Sequence, residues 1–387
     1  MHIALLYVDA GKGHLTPARA LADALMRQGH TTVVENLFVA CKAPVVGYLG
    51  KTNWRLQLHY PRMELKVNAK SDNHKTGSLI RFLATHTHSV QDFKQWLDQV
   101  QPDCIVVAHF LAGTLIQPLV AHLNLPIPVF EYAADVVFTP RLGINSNLDK
   151  LYICTTIGKE LAIRDGQKED TISICPFPLK SSLMLNKPLG KQEARKKLGL
   201  EDRFTVLLNL GGEGIGTTDF LEEVEKRGLD WQIITVGKLS STTALHYKHF
   251  KENHPDFRLY TPGFVDNIQE YICACDVQAG KAGANALMES LSLKRPFMIS
   301  SLLYAAWPTS IFFDRNHVGW VENTVEKQVD ILQTFSEDES VQQAIQQAFE
   351  KLPVTFDSDR FASIIVEDAK AAIQKKLSQD HTSFTTP

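Results

Sequence analysis

Apolar residues in this chain fall into short runs separated by amphipathic stretches and glycine-bearing turns. Residues 3–8 form one such run, followed by a turn, a helical pattern over residues 16–28 and a second run at 31–34. This order predicts a β-α-β opening, because short apolar runs suit strands buried on both faces and a 3.6-residue stripe suits a helix lying on them. Further runs at 104–108, 129–132, 151–155 and 171–175 alternate with helical stretches such as 111–122. The pattern predicts a parallel, doubly wound sheet. A proline-rich connection, Cys175-Pro-Phe-Pro-Leu179, leads to a polar helical stretch at 191–198. The same grammar then restarts, with runs at 205–210, 231–236, 276–279 and 297–300. The expected fold is α/β, with two Rossmann-like domains spanning residues 1–178 and 179–355. A C-terminal helix within 356–378 is amphipathic enough to return to the first domain. Two such sheets facing a central cleft would bind ligands outside the carboxyl ends of their strands.

Composition narrows the class. With 387 residues, 44% hydrophobic, the chain has material for two cores, and a formal charge of -3 argues against coating nucleic acid. Six cysteines without Cys-x-x-Cys spacing read as reduced core residues. The start lacks a basic leader region, and no apolar stretch reaches the roughly 18 residues that span a bilayer. A cytoplasmic location is therefore expected. One region is locally basic: Lys42, Lys51, Arg55, Arg62, Lys66, Lys70, Lys75 and Arg81 stand against Glu64 and Asp72. Trp54, Tyr60, Leu79, Phe82 and Leu83 are interleaved with them. Cations drawn to an anionic leaflet, with aromatic and leucine side chains entering the headgroups, would make this a peripheral membrane surface. Lys51, Trp54, Arg55, Arg62 and Lys66 are its candidate contacts. The alternative is a solvated, irregular insertion packed on its own domain.

Three loops at strand ends carry candidate chemistry. In Asp9-Ala-Gly-Lys-Gly-His14, between the first strand and helix, glycines let backbone approach a ligand. Its spacing matches neither a dinucleotide fingerprint nor a phosphate loop. His14 is either a helix cap or a base that takes a proton from an attacking hydroxyl. The second loop contains Gly211, Gly212, Gly214 and Gly216 ahead of a helix, a backbone arrangement suited to a diphosphate. In the third, Gly263-Phe264-Val265 can present main-chain groups to a flat base. The turn Lys281-Ala282-Gly283 opens a helix whose positive end suits phosphate. Asn285 and Glu289 share a face of that helix, and Glu289 can accept from two vicinal ribose hydroxyls. His109 and Asp135 also follow strand-like runs; each is a site residue or a group satisfied by nearby backbone.

Taken together, residues 263–268, Ala274-Cys-Asp276, Lys281-Ala-Gly283 and Glu289 resemble the donor site of the diacylglycerol glycosyltransferases. These are the monogalactosyldiacylglycerol synthases and processive diacylglycerol glucosyltransferases, with the lipid II N-acetylglucosaminyltransferase as a more distant relative. The glycines at 211–216 and Gly11-Lys-Gly-His14 resemble further loops of that family, in the same order. The resemblance implies the GT-B fold and metal-independent, inverting transfer of a hexose from a UDP-sugar to a lipid acceptor such as diacylglycerol. It also implies no bound cofactor. It makes His14 or Asp135 the base, Phe264 and Val265 the base-binding turn, and Glu289 the ribose ligand. Two departures stand out. Asn285-Ala286 replaces a Gly-Thr pair, and the segment 301–309, with Tyr304 and Trp307, replaces a Gln-Glu pair that holds sugar hydroxyls. The donor sugar is therefore not implied. A UDP-sugar epimerase of the same two-domain plan and a non-catalytic sugar-nucleotide binder are the alternatives.

Overall fold

The computed structural model describes residues 1–9, 13–42, 61–209, 218–281, 283–301 and 307–383. In them the apolar runs form two six-stranded sheets in which every strand pair is parallel. The chain divides into two units, Met1–Met184 with Pro353–Pro387, and Leu185–Leu352.

The first unit contains β1 (His2–Tyr7), β2 (Thr31–Asn36), β3 (Cys104–Val107), β4 (Val129–Tyr132), β5 (Lys150–Ile153) and β6 (Ile172–Ile174). Their order is β2-β1-β3-β4-β5-β6. One face of the sheet buries Leu6, Ile105, Val107 and Val129 against Phe93, Leu97, Leu115 and Leu119 from the covering helices. On this unit also lies the last helix, Ser358–Ser383. Its Phe361 is wholly buried between Tyr132 and Tyr152, with ring centroids at 5.4 and 5.2 Å. Burying one such ring is worth about 1.5–3 kcal/mol. Polar contacts tie the helix along its length: Arg27 pairs with Asp359, Tyr152 donates to Asp368 at 2.9 Å, and Lys376 meets Asp149 at 3.0 Å.

The second unit contains β7 (Thr205–Asn209), β8 (Gln232–Val236), β9 (Arg258–Gly263), β10 (Val277–Lys281), β11 (Phe297–Ser301) and β12 (Gly319–Val321). These are ordered β12-β11-β10-β7-β8-β9. Leu207, Ile234, Val236, Ile272 and Cys275 form a core on one face. Buried Arg195, on the helix Lys191–Leu198, donates to Asp276 at 2.7 Å and to the Ala274 carbonyl at 3.0 Å, fastening that helix at the start of β10.

Two features depart from the hydrophobic pattern. The helix expected at 111–122 begins as a π-helix, Ala112–Ile116, and becomes α-helical only from Gln117 to His122. Gly113 is pressed against the chain at Gly143, where a Cβ would stand 2.1 Å from the carbonyl oxygen, and Asn145 donates to the Gly113 carbonyl at 2.7 Å. That tertiary contact competes with the regular helical ladder. The polar stretch after residue 60 is helical throughout much of its length, as Pro61–Ser71, His74–Thr85 and Ser89–Val100. All six cysteines are buried and free.

Candidate active site

In the first sheet β1 has β2 on one side and β3 on the other, so the winding reverses between β1 and β3. Such a reversal opens a crevice at the carboxyl ends of the two strands. His14 arrives there from the loop after β1, at the start of the helix Leu15–Arg27, and His109 from the segment after β3. Their rings meet edge to face with centroids 4.7 Å apart. His14 occupies the cap position but makes no side-chain capping bond. Instead its Nδ1 lies 2.9 Å from the Ala108 carbonyl. A carbonyl only accepts, so Nδ1 carries the proton and the Nε2 lone pair of the neutral ring remains able to take one.

His14, His109 and Asp135 are each half-buried. Nδ1 of His109 accepts from the Leu111 N–H at 3.2 Å, and burial together with neighbouring His14 holds His109 well below the usual histidine range. His109 therefore stays neutral at physiological pH. Asp135 follows β4; burial raises its carboxyl above the ordinary range while the charge of His14 draws it back. A carboxylate within electrostatic reach of a histidine can stabilise the imidazolium formed when that histidine accepts a proton. Beneath them, Glu131 is fully buried. It accepts from Thr139 at 2.6 Å and from the Gly113 backbone, and its carboxyl is pushed up to about 8 because desolvation outweighs both bonds. Glu131 carried no signal in the sequence, since a single acidic residue within an apolar run does not reveal its burial.

The corresponding reversal in the second sheet lies between β7 and β10. Gly280 is required there: a Cβ would stand 2.8 Å from the Asn209 carbonyl of β7, so only glycine lets the two strand ends converge. Lys281 follows a register shift, and Gly283 begins the helix Ala284–Ser292. Asn285 is half-buried on its first turn, and Glu289 is 5% exposed. Gly263 ends β9 at φ +79°, where its carbonyl accepts from the Gly237 N–H at 2.9 Å. From that turn Val265 packs onto the core of Leu207 and Ile234, whereas Phe264 is 67% exposed. An anchored valine thus holds an aromatic face outward. The structure brings Lys281, Gly283, Asn285 and Glu289 together on one strand-to-helix turn, with Gly263, Phe264 and Val265 on the turn after β9. The expected sites at Gly211, Gly212, Gly214, Gly216 and Ala282 lie outside the described residues, as does Tyr304. Trp307 is half-buried, and its carbonyl accepts from Ser310 at 2.9 Å.

Of the basic region, Lys51, Trp54 and Arg55 lie outside the described residues, and Arg62 falls on the helix Pro61–Ser71. Along that helix Met63 and Val67 are exposed one turn apart, as are Lys66 and Lys70. On His74–Thr85, exposed Leu79, Phe82 and Leu83 share a face, while Gly77 and Ala84 turn inward. Gly77 abuts the Leu142 carbonyl, with a Cβ reaching 2.3 Å, and Asp72 accepts the Leu142 N–H at 3.0 Å. For residues 61–85 the backbone is thus helical rather than irregular, and the helix His74–Thr85 packs on its own unit while Leu79, Phe82 and Leu83 face outward. Among the described residues no helix is long and apolar enough to cross a membrane.

No family model matches the chain. Among curated proteins it is 22% identical over 397 residues to a processive diacylglycerol beta-glucosyltransferase of Bacillus pumilus, covering 97% of each chain. It is 23% identical to a probable chloroplastic monogalactosyldiacylglycerol synthase of Nicotiana tabacum, over 78% of this chain and 58% of that one. Among solved structures, the glycotransferase of kitacinnamycin superposes with a TM-score of 0.61 at 14% identity, over 95% of this chain and 99% of the other. The UDP-GlcNAc 2-epimerase of Neisseria meningitidis bound to UDP-GlcNAc gives 0.56 at 12% identity, over 95% and 99%. The chain therefore has the GT-B fold of two Rossmann-like units, and along almost its whole length it is similar to the diacylglycerol glycosyltransferase family that its donor-site motifs resemble.

Proposed function

We propose that this protein is an inverting glycosyltransferase that moves a hexose from a UDP-sugar to the hydroxyl of a lipid such as diacylglycerol. The observation that carries the reading is the His14 ring, whose Nδ1 is committed to the Ala108 carbonyl and whose Nε2 is thereby prepared to accept a proton. It stands in a chain similar to lipid glycosyltransferases over 97% of its length.

In the proposed step, the acceptor oxygen attacks the anomeric carbon from the face opposite the nucleotide. The new C–O bond forms as the bond to the diphosphate breaks, the hydroxyl proton passes to His14 Nε2, and UDP leaves. Asp135 offsets the charge gained by the imidazole. Phe264 stacks on the uracil and Glu289 accepts from the ribose hydroxyls. Main-chain N–H groups at the start of Ala284–Ser292, with Lys281, offset charge on the leaving diphosphate. The exposed Leu79, Phe82 and Leu83 with Lys66, Lys70 and Lys75 would dock on an anionic membrane, where the acceptor resides.

A panel of UDP-sugars, with and without diacylglycerol vesicles, tests this by following UDP release and labelled lipid. The expected result is labelled lipid and stoichiometric UDP from at least one donor. If no donor yields labelled lipid, or if His14→Ala leaves the rate unchanged, the reading fails. A second reading, a UDP-sugar epimerase, is favoured only by the shared fold with such an enzyme. It requires epimer formation without lipid.

A further inference from the structure

After β4 the chain turns at once. The Val137 N–H donates to the Asp135 carbonyl at 2.8 Å, and Val136 between them has φ +69°. An i to i+2 bond about a residue of positive φ is the rarer, strained form of γ-turn. For a β-branched residue this region is unfavourable because Cβ crowds the following carbonyl. Among the described residues the other non-glycine positions of positive φ are Lys42, Gln101, Asn124, Lys294 and His317. Each of these follows the last turn of a helix, where a left-handed residue is the ordinary way to stop. Val136 ends no helix, is buried, and is the only β-branched member of the set.

Strain of this kind persists where neighbours over-determine the backbone. Here the Val136 N–H donates to the Ala133 carbonyl at 3.0 Å, and the Thr155 hydroxyl donates to the Val136 carbonyl at 3.2 Å. Thr155, just beyond β5, is buried, and its oxygen also accepts the Gly158 N–H at 3.1 Å as the cap of the helix Thr156–Arg164. One hydroxyl thus joins the start of a helix to the turn that follows Asp135. A glycine at 136 would reach the same φ without strain, but it would leave the turn without an anchor in the core.

We propose that Thr155 and Val136 are positioning residues, which lock the turn after β4 so that the Asp135 carboxylate keeps a fixed place within electrostatic reach of His14. The function of that carboxylate rests on the transferase reading; the conformation of the turn does not.

The full-length chain is compared with Thr155→Val, Thr155→Ser, Val136→Gly and Val136→Ala. Asp135 is titrated by carbon NMR of labelled aspartate, its signal identified by its loss in Asp135→Asn. Thr155→Val should bring that titration down toward the ordinary carboxyl range, as the freed turn admits water. It should also lower kcat about tenfold with KM for the donor unchanged, and Thr155→Ser should restore both. Val136→Gly should melt about 3 °C above Val136→Ala, the reverse of the usual order, while having the lower kcat. If Thr155→Val leaves the Asp135 titration in place, or Val136→Gly melts below Val136→Ala, the proposal is overturned. Should the wild-type chain release no UDP with any donor, the transferase reading falls, while the titration and melting comparisons still decide the turn. If Thr155→Val does not fold, the Val136 pair decides it alone.

Discussion

At the carboxyl end of the first sheet the candidate groups are half-buried side chains: His109 is held neutral, Asp135 is raised, and the backbone beside it is strained. At the carboxyl end of the second sheet it is carried largely by the main chain, through glycines at 263, 280 and 283, with one aromatic face left exposed. The contrast follows from what each end is proposed to do. A group that moves a proton needs desolvation and a fixed direction, because its pKa and its tautomer set the rate. A surface that holds a nucleotide needs close backbone approach and an open platform, because its ligand brings charge and a flat ring with it.

The sharpest way to break this division is at His14. His14→Ala should lower kcat by about 10²–10⁴ while UDP affinity by calorimetry stays within about twofold. An equal loss of UDP affinity would show that the first unit shares in holding the nucleotide.

Next in size is the effect of buried Glu131 on stability. Its folded carboxyl titrates near 8, against 4.5 when unfolded, so folding takes up a proton between those values. Below pH 4.5 both states are protonated and the group costs nothing. As pH rises toward 8 only the unfolded state ionises, and stability falls by up to a few kcal/mol. Glu131→Gln keeps an acceptor for Thr139 and should flatten the decline of Tm between pH 5 and about pH 9. An unchanged slope would remove Glu131 from the account.

On the nucleotide side the effects are smaller and confined to binding. Glu289→Ala should weaken UDP binding by about tenfold or more, since it removes a charged acceptor, with kcat at saturating donor nearly preserved. Phe264→Ala should cost about threefold to tenfold in UDP affinity, with Tm changed little because the residue is 67% exposed. A fall in Tm would mean that the ring packs against the protein.

The hydrophobic pattern was enough to read a doubly wound α/β fold, because parallel strands buried on both faces leave near-continuous apolar runs, as in 104–107 and 205–209. The turns of the proposed donor side were legible for a similar reason: Gly263, Lys281, Gly283 and Glu289 lie within one local stretch, and glycine shows in sequence where backbone must turn. The π-helix at Ala112–Ile116 was not legible, since Gly143, distant in sequence, imposes it. Nor was the pairing of His14 with His109, or the coupling of His14 to Asp135. These groups follow three strands far apart in the chain, β1, β3 and β4, and their surroundings arise only once the sheet is wound. Sequence alone determined which elements form and where backbone can approach a ligand, because those depend on neighbours a few residues away. Tertiary structure decided which histidine is oriented to take a proton, because the Ala108 carbonyl that fixes its tautomer reaches His14 only through the fold.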